Sequence, residues 1–378
     1  MSRRGVLWLG CVGLLVLATG CGDSRPEPAP YDWKLPPGFP EPAVPEDNPM
    51  SAAKVALGRH LFHDTRLSAN GTQSCASCHR QDRAFSDSRL TALGSTGELH
   101  RRNSMGLANV VYAGSLTWVN PVVPDLEAQA LLPLFGESPV ELGLAGQDEL
   151  LLQRLSADAQ YPKMFAEAFP DQRQPVSLAS VVRAIAAFQR TLISGNSPYD
   201  RYTYRDELDA LSPAAKRGMT LFFSERLECF HCHQGFSFTD SVKHKLTAFP
   251  EVTFHNTNLY NVDGQGTYPA EDQGLYEFTR RVEDMGRYRS PTLRNIAVTA
   301  PYMHDGSIAT LGEVIDHYAA GGRASAQGAP PSPHQSEFVR GFTLTPQEKQ
   351  DVIAFLESLT DTEFLTDPRF SDPFASKP

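Results

Sequence analysis

Cysteine is scarce in this sequence, and nearly all of it sits in two short pairs. Six cysteines occur in 378 residues. Cys11 and Cys21 belong to the N-terminal stretch, and the rest form Cys75/Cys78 and Cys229/Cys232, two C-x-x-C pairs 154 positions apart. No thiol remains beyond these pairs for a wider disulfide scaffold. Basic residues are also in short supply, 34 Lys and Arg against 44 acids, for a net charge of −10. Phosphate neutralisation needs clustered Lys and Arg, so the balance speaks against a nucleic-acid partner. The one long apolar run is short for a membrane span and lies at residues 6–17.

That run has the layout of an export signal. Arg3 and Arg4 precede it, and small residues in "ATGC" lead to Cys21. The pattern is that of a bacterial lipoprotein signal, with residues 1–20 removed and Cys21 acylated, so that the membrane is met only through a lipid anchor. The expected location is therefore periplasmic. Loss of Arg3 and Arg4 with no acid moves the net charge from −10 to −12. Residues 21–50, with "PEPAP" and "PPGFPEPAVP", read as a proline-rich arm or tether.

Each cysteine pair is followed directly by histidine, in "CASCH" (75–79) and "CFHCH" (229–233). In C-x-x-C-H both thiols add to the vinyl groups of one haem, and the histidine becomes the iron's proximal ligand. Cys75, Cys78 and His79 would hold one covalent c-type haem; Cys229, Cys232 and His233 would hold another. His231 reads as a spacer. A redox dithiol and a zinc site with Cys and His ligands are the competing readings.

The surroundings of the motifs repeat. "SAAKVALGRHLF" (51–62) matches "SPAAKRGMTLFF" (212–223), each opening on a serine suited to capping a helix. Gly58 and Phe62 are spaced like Gly218 and Phe222. "AFSDS" (84–88) matches "SFTDS" (237–241), and "RNSMGLANVVY" (102–112) resembles "RSPTLRNIAV" (289–298). Both halves close on a helical pattern, "AIAAFQRTLIS" (184–194) and "DVIAFLESLT" (351–360). The expected fold is mainly α: two cytochrome c-like helical domains, 51–200 and 201–378, each with one haem. Near the end, "LGEVIDHYAAGG" (311–322) sets His317 beside Tyr318 on a short helix, where either could bind a metal or both could be ordinary core and rim side chains.

With "LFHDTRLSANGTQSCASCH", "RRNSMGLANVVY", "LEAQALLPLFGESPVELG", "CFHCH" and "TLRNIAVTAPYMHDGSIATLGEVIDHY", the chain resembles the bacterial di-haem cytochrome c peroxidase and MauG superfamily over residues 50–360. The finer pattern is similar to its MbnH-type subgroup, associated with a copper-binding partner protein (the metallo-mystery pair). The resemblance implies that the first haem reacts with hydrogen peroxide and has an open or weakly held sixth position. Glu141 in "SPVELG" takes the place of the family's acid/base glutamate, and Gln129 in "LEAQ" that of a distal glutamine. A glutamate over the haem could move the peroxide proton from the inner to the outer oxygen; the plainer alternative is a carboxylate at a helix start. Trp118 in "LTWVN" falls where the family has a tryptophan between its haems, although the usual Asp-Gly-Arg does not follow. His100 is not at the spacing of the family's switching loop histidine and reads as a loop or surface residue. Asn103, Thr299 and Pro301 match positions that bind calcium through one amide and two backbone carbonyls.

The family register puts Tyr318, nineteen positions after Thr299, where the peroxidases have a methionine ligand to the second haem. His317 is left as a neighbour or surface residue, and no methionine follows Met303. A phenolate is hard and anionic and favours oxidised iron, where a thioether raises the potential. The resemblance therefore implies an oxidoreductase that uses peroxide to reach a bis-Fe(IV)-type state and oxidises an aromatic residue, tryptophan to kynurenine, on a partner protein. A cytochrome c peroxidase fed by a small cytochrome is the alternative, and a non-enzymatic di-haem electron carrier is a further one.

Overall fold

The computed structural model describes residues 31–375. The leader and Cys21 lie outside the described residues. Within them the chain is mainly helical, with isolated two-residue bridges and no sheet. No described helix is long and apolar enough to cross a membrane.

Two helix pairs form the frame, one in each half. Ala52–His63 crosses Leu178–Arg190, and Pro213–Phe222 crosses Pro346–Glu357. Each pair meets at a glycine. A Cβ on Gly58 would lie 1.8 Å from the Ala184 carbonyl oxygen, and one on Gly218 would lie 1.8 Å from that of Asp351. Only a residue without a side chain lets the backbones come this close. Caps start the helices: Ser51 Oγ accepts from the Lys54 amide at 3.2 Å, and Ser212 Oγ from the Ala215 amide at 3.1 Å, with Pro213 in the first turn.

Around these crossings lie two apolar cores. Leu57, Leu61, Phe62, Ile185 and Phe188 centre the first; Phe222, Phe238, Val352, Phe355 and Leu356 centre the second. Each fully buried large side chain contributes about 1.5–3 kcal/mol. The C-terminal segment, assigned by sequence to the second domain, returns to the first core, where Phe364 and Phe370 are buried. Gln81 Nε2 donates to the Phe364 and Asp367 carbonyls, and Arg59 Nε to that of Ser371.

The expected tether is also packed over its described part. Phe39 is buried against Phe236 at 4.9 Å and under the Arg294 guanidinium at 4.8 Å, and Tyr112 Oη donates to the Pro40 carbonyl at 2.7 Å. Asn48 is buried, with Nδ2 donating to the Arg183 carbonyl and Oδ1 accepting from Lys54 Nζ. Proline content suggests an extended strip, but the apolar residues between the prolines anchor it to the body.

The halves are joined by the repeat itself. Asn109 and Asn295 share one left-handed conformation, φ 60° and ψ 22°. Both are buried and both reach Ser194: Asn109 Nδ2 donates to its carbonyl at 3.0 Å, Asn295 Nδ2 to its Oγ at 2.9 Å. Arg102 of the first half adds an ion pair with Asp272 and Glu277 of the second, at 2.7 and 2.9 Å.

Candidate haem sites and the space between them

In both motifs the histidine is held the same way. His79 Nδ1 bonds the Phe85 carbonyl at 2.7 Å, and His233 Nδ1 bonds the Phe238 carbonyl at 3.1 Å. Both phenylalanines are fully buried at positive φ, 61° and 49°. A bulky residue adopts that conformation at a cost, and here it turns the carbonyl back onto the imidazole. An Nδ1 bonded to a carbonyl must carry the proton, so Nε2 keeps its lone pair for a metal.

The thiols do not fit a reactive redox dithiol. Burial pushes Cys75 up to about 12, Cys78 to about 11 and Cys229 to about 12. A redox dithiol needs a lowered pKa. Among the described residues one cluster of three metal donors contains a motif cysteine, Cys232 with Asp240 and His255, and it leaves out Cys229 and His233.

Beside the second motif lies an apolar slot of about 220 Å³, bordered by Cys229, Cys232, His233, Tyr318, Phe342 and Leu356. Tyr318 is on the helix Leu311–Ala319, which starts on a capping box between Thr310 and Glu313. Its hydroxyl has no hydrogen-bond partner among the described residues, and burial raises its pKa well above the ordinary phenol value. Ionisation at neutral pH therefore requires a cation in the slot, which ferric iron would provide. His317 is buried, contrary to a surface reading; its Nδ1 accepts from the Arg323 amide at 2.9 Å. His231 stacks on Phe338 at 4.1 Å, and its Nε2 lies 2.8 Å from Glu228 Oε2.

One further residue fits a haem in this slot. Arg289 is half-buried and borders it, donating to the Ser115 carbonyl and to Met105 Sδ, while its buried Nε has no partner among the described residues. Desolvation lowers its pKa to about 10. No carboxylate forms an ion pair with it among the described residues. A guanidinium with a buried, unpartnered Nε facing an apolar slot calls for an anion, and a haem propionate is one. Sequence reasoning missed Arg289, which carries no spacing signal.

The slot reaches across to the first half at Trp118, Asn103 and Met105. Trp118 Nε1 donates to the Asn103 carbonyl at 2.8 Å, which fixes the indole between the halves. Asn103 Nδ2 donates to the Arg89 and Leu90 carbonyls. Its Oδ1 receives no donor among the described residues and shares the slot wall with Thr299 and Pro301.

At the first motif, Glu141 lies in a turn rather than at a helix start, and its charge acts on Cys75, Cys78 and His79. Its neighbour is His100, with Nε2 3.5 Å from Oε1. His100 Nδ1 accepts the Arg102 amide at 3.0 Å, so the neutral ring presents Nε2–H to the carboxylate. The loop reading of His100 is right about its backbone, but the side chain belongs to this site. Gln129 is half-buried on the helix Leu126–Phe135, and no hydrogen bond among the described residues joins it to Glu141 or His79.

A duplicated helical frame with two covalent-haem motifs, an acid beside one and a phenol beside the other, defines a di-haem c-type oxidoreductase. The family model described as di-haem cytochrome c peroxidase matches residues 52–208. Cytochrome-c peroxidase IdrP1 of Denitromonas iodatirespirans is 35% identical, over 92% of this chain and 93% of that protein. Methylamine utilization protein MauG of Methylorubrum extorquens is 32% identical, over 83% and 80%. The crystal structure of a MauG-like protein associated with microbial copper homeostasis superposes with a TM-score of 0.88 at 48% identity, covering 91% of this chain and all of that one. The chain belongs to the di-haem cytochrome c peroxidase and MauG family, and is a haem-dependent oxidoreductase.

Proposed function

We propose that this enzyme uses hydrogen peroxide to oxidise an aromatic side chain, tryptophan to kynurenine, on a copper-binding partner protein. The observation that carries the reading is Tyr318, a phenol without a protein partner in the slot of the second motif. The copper association of the structural neighbour supports the choice of partner. When bound, the two haems supply peroxide reduction and a store for its two oxidising equivalents.

The chain's own residues set up that chemistry. Nε2 of His79 and of His233 would ligate the irons, each oriented by its carbonyl. Glu141 would accept a proton from peroxide and give it back to the departing oxygen, with His100 Nε2–H 3.5 Å from its Oε1 orienting the carboxylate. Tyr318 would close the second iron and lower its potential. Trp118 offers an oxidisable ring between the halves. Gln129 would donate to bound peroxide, and Asn103 Oδ1 with the Thr299 and Pro301 carbonyls would hold calcium. Export and acylation at Cys21 place the enzyme in the periplasm on a lipid anchor.

Peroxide added to the holoprotein with a copper-binding partner should convert one partner tryptophan to kynurenine, read by peptide mass spectrometry. A cytochrome c peroxidase is the second reading, favoured by the similarity to IdrP1. Fast oxidation of reduced cytochrome c with an unmodified partner would select it.

A further inference from the structure

The second half contains three tyrosines that the chemistry above does not use. Tyr288 borders the slot, its ring stacked on His304 at 3.6 Å. Tyr268 follows at 6.1 Å from Tyr288, and Tyr260 at 5.6 Å from Tyr268, centroid to centroid. Trp118 packs on the same cluster. Tyr288 and Tyr268 are buried, and Tyr260 is half-buried at the outer end.

Packing alone would be satisfied by phenylalanine, and buried hydroxyls need partners. The kind of partner differs along the row. Tyr288 Oη donates to Asp272 Oδ1 at 2.8 Å and Tyr260 Oη to Asp305 Oδ2 at 2.5 Å, whereas Tyr268 Oη donates to the amide oxygen of Asn256 at 3.0 Å. A phenol gives up an electron readily only if its proton leaves too, because the phenol radical cation is a very strong acid. A carboxylate at hydrogen-bond distance can take that proton, and an amide oxygen is too weak a base. Tyr288 and Tyr260 are thus resting positions for a hole, with Tyr268 a bridge. The Arg323 guanidinium, 4.7 Å over the Tyr260 ring, disfavours a cation radical there and makes proton loss to Asp305 the workable course.

We propose that Tyr288, Tyr268 and Tyr260 carry oxidising equivalents from the second haem slot to the protein surface at Tyr260, where an aromatic side chain of a partner protein is oxidised. The inference rests on the proposed peroxide oxidation of the haem pair, which is the oxidant. Tyr288 passes one electron to the slot and its phenolic proton to Asp272. An electron from Tyr260 then refills Tyr288 through Tyr268; Asp272 returns its proton, and the Tyr260 proton moves to Asp305. The balance is one electron gained by the haem pair, one proton on Asp305 and a neutral phenoxyl on Tyr260. A partner side chain that donates an electron to Tyr260 restores it as Asp305 gives the proton back.

The test mixes full-length di-ferric holoprotein with one equivalent of hydrogen peroxide, without partner, and follows it by absorption and freeze-quench EPR. Wild type is compared with Tyr260→Phe, Tyr288→Phe and, as a control outside the row, Tyr276→Phe. The expected result is a tyrosyl radical in wild type and Tyr276→Phe that is lost in Tyr260→Phe, with several-fold slower decay of the oxidised haem absorption in Tyr288→Phe. The same radical and the same decay in all four proteins would overturn the proposal. Absence of any absorption change in wild type would instead refute the peroxide reading, and this route with it. Tyr260→Phe is a half-buried substitution that removes one hydroxyl, so it decides the matter even if Tyr288→Phe does not fold.

Discussion

The two halves share a frame and differ in what faces the motif histidine. Gly58 and Gly218 make the same close crossing, and Phe85 and Phe238 turn the same carbonyl onto His79 and His233. Beyond that point they part. The first motif has a half-exposed acid paired with His100, and the second has a half-buried phenol in an apolar slot. The duplicated residues place a haem, and the unmatched ones decide what it does. In the proposed function, one half moves protons while the other stores charge.

Substitutions on the unmatched side should break this comparison most. Glu141→Gln is expected to slow peroxide consumption by about 10²–10⁴-fold with the second haem's spectrum unchanged. His100→Gln, which keeps a donor near Oε1, should retain more activity than His100→Ala in the same stopped-flow assay. Tyr318→Met should raise the second haem's potential by on the order of hundreds of millivolts, within the ~0.8 V range that axial ligands span. Partner oxidation should fall with it, measured by spectroelectrochemistry and mass spectrometry.

The shared side should respond evenly. Gly58→Ala and Gly218→Ala each drive a Cβ to 1.8 Å from a carbonyl oxygen, so both should destabilise by at least about 1–3 kcal/mol in chemical denaturation. A loss confined to one of them would show that the halves are not equivalent frames.

A smaller difference concerns acid. His304 in the second half is buried, and desolvation holds its pKa down to about 4 despite Asp272 and Asp305 nearby. Unfolding lets it regain the ordinary value, so the unfolded chain binds more protons between pH 6.5 and 4. Its contribution is complete above about pH 6.5 and is lost as pH falls towards 4, at most about 3 kcal/mol. His304→Gln should flatten the acid limb of the melting temperature against pH.

Much of this was legible in the sequence because the signals are local. The capping serine, the crossing glycine and the pentapeptide of each half lie within one short stretch, 51–79 and 212–233. Tyr318 depended on register against a family, and the structure lines the slot with it. What the sequence hid was long-range. Phe364 and Phe370 look like part of a second domain until they are seen in the first core. Phe39 sits among prolines that suggest a free arm. His100 and Glu141 are 41 positions apart with no periodicity between them, and Arg289 gains meaning only from having no carboxylate partner among the described residues. Pairings of this kind come from packing between distant segments, which no local pattern encodes.

The central claim is that the second half stores an oxidising equivalent rather than passing electrons in from a cytochrome. Mössbauer spectroscopy of iron-57 di-haem holoprotein, frozen after one equivalent of hydrogen peroxide, tests it most directly. Two iron sites oxidised beyond the ferric state are predicted. A single oxidised iron beside an unchanged ferric second haem would contradict the account.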